Sequence, residues 1–236
     1  MSLRIFDDLN ALSHAAAELV VLRGRDAIRD RGEFHFALAG GSTPKTLYSL
    51  LASEPYRDYL SWELVHVYWG DERWVGSSDP QSNELTGRQF LLDLVPIPAL
   101  NVYPIFSDGM NAEENAQNYE SVLKINAPNG MDLVLLGMGD DGHIASLFPN
   151  GPELLETEKW VMPTTSPKGV SQRISMTLPY LKMSKCVLFM VSGADKAPAL
   201  QLALGSSDAD WPPAGILGHA IPDVTHWYVD EAAFRS

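Results

Sequence analysis

Met131-Asp132-Leu133-Val134-Leu135-Leu136-Gly137-Met138-Gly139-Asp140-Asp141-Gly142-His143-Ile144-Ala145-Ser146-Leu147-Phe148-Pro149 opens as an unbroken apolar run and closes as a glycine-rich loop. The run Leu133–Leu136 is too short to cross a membrane and is bounded by turn residues. That is the pattern of a strand buried on both faces at the centre of a parallel sheet. Gly137, Gly139 and Gly142 then break the chain and bring Asp140, Asp141 and His143 to the strand's C-terminal edge, where open α/β sheets bind their ligands. His143, two residues beyond Asp141, is a candidate acid/base whose imidazole Asp141 can orient and steady when charged. Asp140 is read as solvated.

Upstream, Asp8 to about Arg31 carries helical periodicity, with Leu9, Leu12, Ala16, Leu19 and Val20 on one face and Gly32 as a stop. Phe34–Ala39 reads as a strand that runs into Gly40-Gly41-Ser42-Thr43-Pro44-Lys45 and a helix through Leu47, Leu50 and Leu51. Thr43 is placed to cap that helix and Pro44 to begin it. Such a strand–turn–helix junction is an anion site, because free N–H groups and the positive end of the helix dipole point out of it. Val65–Trp69 is a second strand, ending in Gly70-Asp71-Glu72-Arg73-Trp74. Helices are expected over Asn83–Leu92 and from Asn111 to about Ile125, with a short strand at Asn101–Pro104 between them. Downstream, Arg173–Thr177 and Lys185–Val191 read as strands and Lys196–Leu204 as a helix. Trp211–Gly218 reads as a Pro/Gly-rich connection before a last strand at Thr225–Val229. Strands alternating with helices, without repeats or a long linker, predict one α/β domain over residues 1–236. Its core is a Rossmann-like, mostly parallel sheet with helices on both faces.

A net charge of −13 argues against nucleic acid and anionic membranes as partners. No run of ~18 apolar residues exists, and the N-terminus lacks a signal-peptide profile. The single Cys186 lies in an apolar run and has no internal partner, so a cytoplasmic location is expected. The same acidity repels anionic substrates, so any phosphate site must be a local cationic pocket. Arg73, Arg173 and Lys196 each follow or open a strand-edge segment, and with the Gly40–Thr43 turn they favour a phosphorylated small molecule. The other five histidines show no metal-ligand spacing. Gly137–Gly142 matches G-x-G-x-x-G, but Pro149, Gly151 and Pro152 follow too closely for the helix that motif should open, and two carboxylates would face a pyrophosphate. The Gly-Gly turn lacks the Gly-Lys-Ser/Thr of a P-loop and is not G-x-S-x-G, so Ser42 is not a hydrolase nucleophile.

Four blocks taken in order resemble the 6-phosphogluconolactonase family. They are Leu38–Pro44, Trp69–Arg73, Leu136–Pro149 and Val191–Ala197, with Ser82-Asn83-Glu84 and Arg173–Thr177 between them. The resemblance implies a Rossmann-like α/β sandwich that hydrolyses 6-phospho-D-glucono-1,5-lactone without metal or cofactor; separately, a monomer or weak homo-oligomer is expected. Carried over by position, His143 resembles the family's general base and Asp141 its partner. Asp71, Arg73, Arg173 and Lys196 fall at substrate-contacting positions, and Gly40, Gly41, Ser42 and Thr43 form the equivalent of its sugar-phosphate loop. Ile144 departs from a frequent threonine. Glucosamine-6-phosphate deaminase is the nearest alternative, but its pattern has glutamate where this chain has Phe148 and tyrosine where it has Arg73. Sugar-phosphate-sensing regulators of the same fold keep the turn and lose the base, whereas Asp141 and His143 are both present.

Overall fold

A computed structural model of the chain describes residues 1–235. Its strands are β1 (Ser2–Phe6), β2 (Phe34–Leu38), β3 (Val65–Trp69), β4 (Asp71–Arg73), β5 (Leu133–Gly137), β6 (Val161–Thr165), β7 (Gln172–Met176), β8 (Val187–Val191) and β9 (Thr225–Asp230). Its α-helices are α1 (Leu9–Arg31), α2 (Pro44–Leu51), α3 (Asn83–Phe90), α4 (Ala112–Asn126), α5 (Leu178–Leu181), α6 (Ala197–Leu204), α7 (Pro213–Ala220) and α8 (Glu231–Arg235).

Because Leu133–Leu136 offer apolar side chains to both faces, β5 is stable only where both faces are covered. It lies inside a six-stranded parallel sheet of order β1-β9-β8-β5-β2-β3, with every side chain of β2 and β8 buried too. Val134 faces Ala37 of β2 on one side and Val187 of β8 on the other. The chain leaves β2 toward β3 and leaves β5 toward β8. Adjacent strands therefore depart in opposite directions, and a crevice opens at their C-terminal ends. The Gly40 turn and the Gly137 loop are the two lips of that crevice.

The long first helix follows its sequence signals. Asp8 caps it by accepting from the Ala11 N–H at 2.8 Å, and Gly32 ends it at φ 85, a left-handed conformation that glycine adopts without strain. Its buried face, Leu12, Ala16, Leu19 and Val20, belongs to the core, and the helix packs against β1, β2, β8 and β9. Pro44 begins α2 as expected. Thr43 sits in the right-handed helical region and makes no side-chain cap bond, so its predicted capping role is not realised.

Other expectations are corrected. The strand expected over Arg173–Thr177 is β7 (Gln172–Met176), but it lies outside the parallel sheet, in a second, antiparallel sheet of order β4-β7-β6 on which α4 packs. Asn101–Pro104 is not a strand; Val102 makes a single bridge to Val67 beside β3. The Trp211–Gly218 connection contains helix α7, which uses Pro213 at its first turn. Its glycines are close-approach residues rather than breakers. A Cβ on Gly215 would lie 3.0 Å from the Ala203 Cα, and one on Gly218 3.0 Å from the Trp227 ring. Strands β1 and β6 lie where no element was predicted.

Candidate active site

The Gly40 turn is fixed from below. The buried Tyr48 hydroxyl accepts from the Ala39 N–H at 2.9 Å and donates to the Ala39 carbonyl at 2.7 Å, locking the chain where it leaves β2. Gly41 follows at φ 89. Gly40 has no room for a side chain, since a Cβ there would lie 1.9 Å from Asn83 Oδ1. Among the described residues, no hydrogen bond uses the N–H groups of Gly41, Ser42 and Thr43 at the start of α2.

The Gly137 loop is as tightly built, and it opens no α-helix. Gly139 donates its N–H to the His143 carbonyl at 2.9 Å, and Gly142 donates to the Gly139 carbonyl at 3.1 Å. Gly142 (φ 80) lies against Pro212, where an added Cβ would come within 2.4 Å. The tight loop folds His143 back over Asp141. His143 Nδ1 lies 2.6 Å from Asp141 Oδ1, which also accepts the His143 backbone N–H at 3.0 Å. An ionised carboxylate only accepts, so Nδ1 carries the proton and Nε2 is left with its lone pair. No group among the described residues bonds Nε2. Burial raises the Asp141 carboxyl pKa, but the two hydrogen bonds from His143 outweigh it and hold the group below its usual range. The imidazole is braced on one side by Phe148, with ring centroids 4.7 Å apart.

The second sheet supplies the positive charge. Arg73 on β4 and Arg173 on β7 are directly opposite in the antiparallel register. Like charges so placed cost stability, and neither guanidinium has a carboxylate partner among the described residues. Arg73 gives Nη1 to the Gln81 carbonyl at 2.8 Å and keeps a buried Nε with no partner. Arg173 gives Nε to the Val170 carbonyl at 2.7 Å. Burial pushes the Arg173 pKa down; nearby Asp71 opposes that and Arg73 adds to it. In a chain of net charge −13, two adjacent arginines without a carboxylate partner among the described residues form a local cationic patch that could hold an anion.

These parts line one cleft of about 440 Å³, which gathers every residue singled out in the sequence: Gly40, Gly41, Ser42, Thr43, Asp71, Arg73, Asp141, His143, Arg173 and Lys196. Asp71 is buried at its floor, accepting from Ser146 Oγ at 2.6 Å and Asn83 Nδ2 at 3.1 Å. Lys196 pairs with the exposed Asp195 at 3.0 Å. Among the described residues, no group of three or more His, Cys, Asp or Glu is placed to hold a metal ion.

The glucosamine-6-phosphate isomerase/6-phosphogluconolactonase family model matches residues 7–227, almost the whole chain. The chain belongs to that family. It is 38% identical to the 6-phosphogluconolactonase of Nostoc sp. over 215 residues, covering 89% of this chain and 87% of that one. Among solved structures, a 6-phosphogluconolactonase from Thermotoga maritima superposes with TM-score 0.84 at 26% identity, covering 98% and 99% of the two chains. A monomeric glucosamine-6-phosphate deaminase reaches TM-score 0.83 at 23% identity over 99% and 98%, which shows the shared fold alone. Backbone shape therefore does not by itself separate the two activities.

Two polar residues of the cleft outside the predicted site set matter for its geometry. Asn83 is a helix start and part of a resembling block in the sequence, and its amide bridges the Asp71 carbonyl and carboxylate while its Oδ1 backs the Gly40 turn. Glu72 anchors it: the carboxylate accepts the N–H groups of Arg73, Asn83 and Glu84 at 2.7, 2.7 and 2.8 Å. Burial pushes the Glu72 pKa up to about 7 against the pull of those donors. The Ser82-Asn83-Glu84 start of α3 was the only signal, because a helix N-terminus calls for a carboxylate. The other residue is Lys168, on the loop between β6 and β7.

Proposed function

We propose that the cleft hydrolyses 6-phospho-D-glucono-1,5-lactone to 6-phospho-D-gluconate in the pentose phosphate pathway. The observation that carries the reading is the pairing of a His143 Nε2 open to the cleft with two uncompensated arginines in the same cavity. His143 Nε2 takes a proton from water as the water oxygen bonds to C1 of the lactone. Asp141 holds the ring's tautomer and steadies the imidazolium. The tetrahedral oxyanion then collapses, breaking the bond between C1 and the ring oxygen, and the imidazolium returns its proton to that oxygen. The new carboxyl loses its proton to solvent.

Arg73, Arg173, Lys196 and the free N–H groups of Gly41, Ser42 and Thr43 bind the phosphate and fix the reacting carbon by a contact remote from it. Asp71 takes hydroxyl hydrogens of the sugar. No metal or cofactor enters the scheme. The reading places the protein in the cytoplasm, working as a monomer or weak homo-oligomer.

Phe148 favours the lactonase over the deaminase. It sets an apolar ring against His143 where the deaminase pattern needs a further carboxylate, and ester hydrolysis needs none. The test is turnover of freshly generated 6-phosphogluconolactone, corrected for spontaneous hydrolysis, with glucosamine 6-phosphate run in parallel. Lactone hydrolysis above background supports the reading. Ammonia release from the amino sugar without lactonase activity overturns it.

A further inference from the structure

The β6–β7 hairpin reaches over the cleft with a backbone held rigidly and a lysine held loosely. Ser166 closes the loop by giving its N–H to the Ser171 carbonyl at 2.7 Å; its hydroxyl donates to the Lys168 carbonyl at 2.7 Å and accepts the Lys168 N–H at 3.2 Å. The Val170 carbonyl is the anchor of the Arg173 guanidinium. Lys168 lines the cleft with Arg173 and Lys196, and its ammonium meets both oxygens of Asp140, at 2.7 and 3.0 Å. That pair is 68% and 48% exposed at its two side chains. Exposed pairs of this kind contribute little and exchange readily.

Asp140 sits among cations. The Lys168 hydrogen bond, with Lys196 adding from further away, holds its carboxyl below the usual range. The two lysines therefore face the same patch of the cleft mouth, each occupied by a carboxylate that no other contact requires. A phosphate monoester carries close to two negative charges at neutral pH and three acceptor oxygens, so it outcompetes a single exposed carboxylate for a mobile ammonium.

We propose that Lys168 is a further substrate-contacting residue, parked on Asp140 in the empty cleft and handed over to the phosphate when substrate binds. The inference rests on the phosphate-ester reading of the cleft and deepens it. Asp140 keeps the ammonium near the mouth without competing strongly. The hand-over needs only the lysine side chain to swing, because the Ser166 hydrogen bonds hold the hairpin backbone in place.

The test compares calorimetric binding of 6-phosphogluconate by wild type, Lys168→Met and Asp140→Asn, with thermal melts to show that each is folded. Lys168→Met should weaken binding roughly ten- to hundredfold, the range for a hydrogen bond to a charged group. Asp140→Asn, which releases the lysine from its competitor, should tighten binding about two- to fivefold. A purely structural bridge predicts that both variants weaken binding alike. Equal weakening, or no change in either, overturns the hand-over even if the enzyme turns over the lactone. Opposite shifts in a protein that binds 6-phosphogluconate but hydrolyses no lactone sustain the hand-over and defeat the lactonase reading instead. A wild type that does not bind 6-phosphogluconate defeats both.

Discussion

At the N-terminal edge of the parallel sheet, Asp132 is buried at 3% exposure and takes three donors: the His35 N–H at 2.9 Å, Arg31 Nη2 at 2.8 Å and Lys185 Nζ at 2.8 Å. Nearby, Glu33 lies 3.0 Å from His35 Nε2 and 3.6 Å from His66 Nε2, while the two ring Nδ1 atoms meet the hydroxyls of Tyr68 and Tyr103. At the C-terminal edge the same residue types are handled in the opposite way. Among the described residues, Arg73 faces Arg173 with no carboxylate ion-paired to either, His143 Nε2 has no partner, and a turn holds three unused N–H groups. One edge neutralises its charges and so holds strands together. The other leaves the two arginines, one His143 nitrogen and the turn N–H groups without such partners, and unsatisfied polar groups are what a ligand can satisfy. Stability and function are thus placed at opposite ends of the same strands.

The largest effect expected is at the uncompensated edge. His143→Ala should lower kcat/KM by about 10²–10⁴-fold, the usual contribution of a positioned base, with no change in the urea midpoint. A fall of less than tenfold in a corrected lactonase assay would remove His143 as the base. At the compensated edge the signs reverse. Asp132→Ala should cost about 2–3 kcal/mol of stability, because it orphans the His35 N–H. The loss stays below that of a fully buried pair because the Arg31 and Lys185 side chains are 40% and 41% exposed and regain water. KM should not move; a changed KM with an unchanged urea midpoint would break the division between the edges.

Arg173→Met sharpens the division within one residue. Removing it should raise KM roughly ten- to hundredfold, yet leave stability equal or higher by a few tenths of a kcal/mol, since the like-charge pair across β4 and β7 is relieved. Loss of stability together with binding would mean that the pair is structural.

Much of the uncompensated edge was legible because it is built from local signals. The buried run of β5, the glycine loop after it and the Gly-Gly turn before α2 each fall within a few residues, and their histidine, carboxylate and hydroxyls come with them. The second sheet was not legible. Strand β4 is three polar residues, Asp71-Glu72-Arg73, with no apolar alternation to announce it. It exists because β7 pairs with it from about a hundred residues away. That pairing sets Arg73 against Arg173, so the sequence names both arginines but not their opposition. Strand β1 was hidden for another reason: it is an edge strand with Leu3 and Ile5 at 41% and 42% exposure, so it carries no buried run. The α7 glycines misled because turn formation and close packing favour the same residue.

The smallest effect concerns the compensated edge and pH. Burial pushes the His66 pKa below its ordinary value, His35 beside it adds to the effect, and Glu33 pulls back only in part. A histidine depressed on folding contributes stability that is present above its unfolded value, near pH 6.5, and lost as pH falls through the lower native value. His226, depressed by burial, Arg23 and the N-terminal amine, acts with the same sign. Glu72 acts oppositely: raised to about 7, it favours the fold below the ordinary carboxylate value and ceases to do so as pH rises to neutrality. The raw stability curve therefore mixes opposed slopes, and only a difference curve isolates one group. Urea midpoints of wild type and His66→Asn between pH 5 and 7.5 should converge toward pH 5, because the variant is spared the acid loss. A constant difference would mean that Glu33 fully compensates the His66 proton, making this edge even more completely neutralised than its geometry indicates.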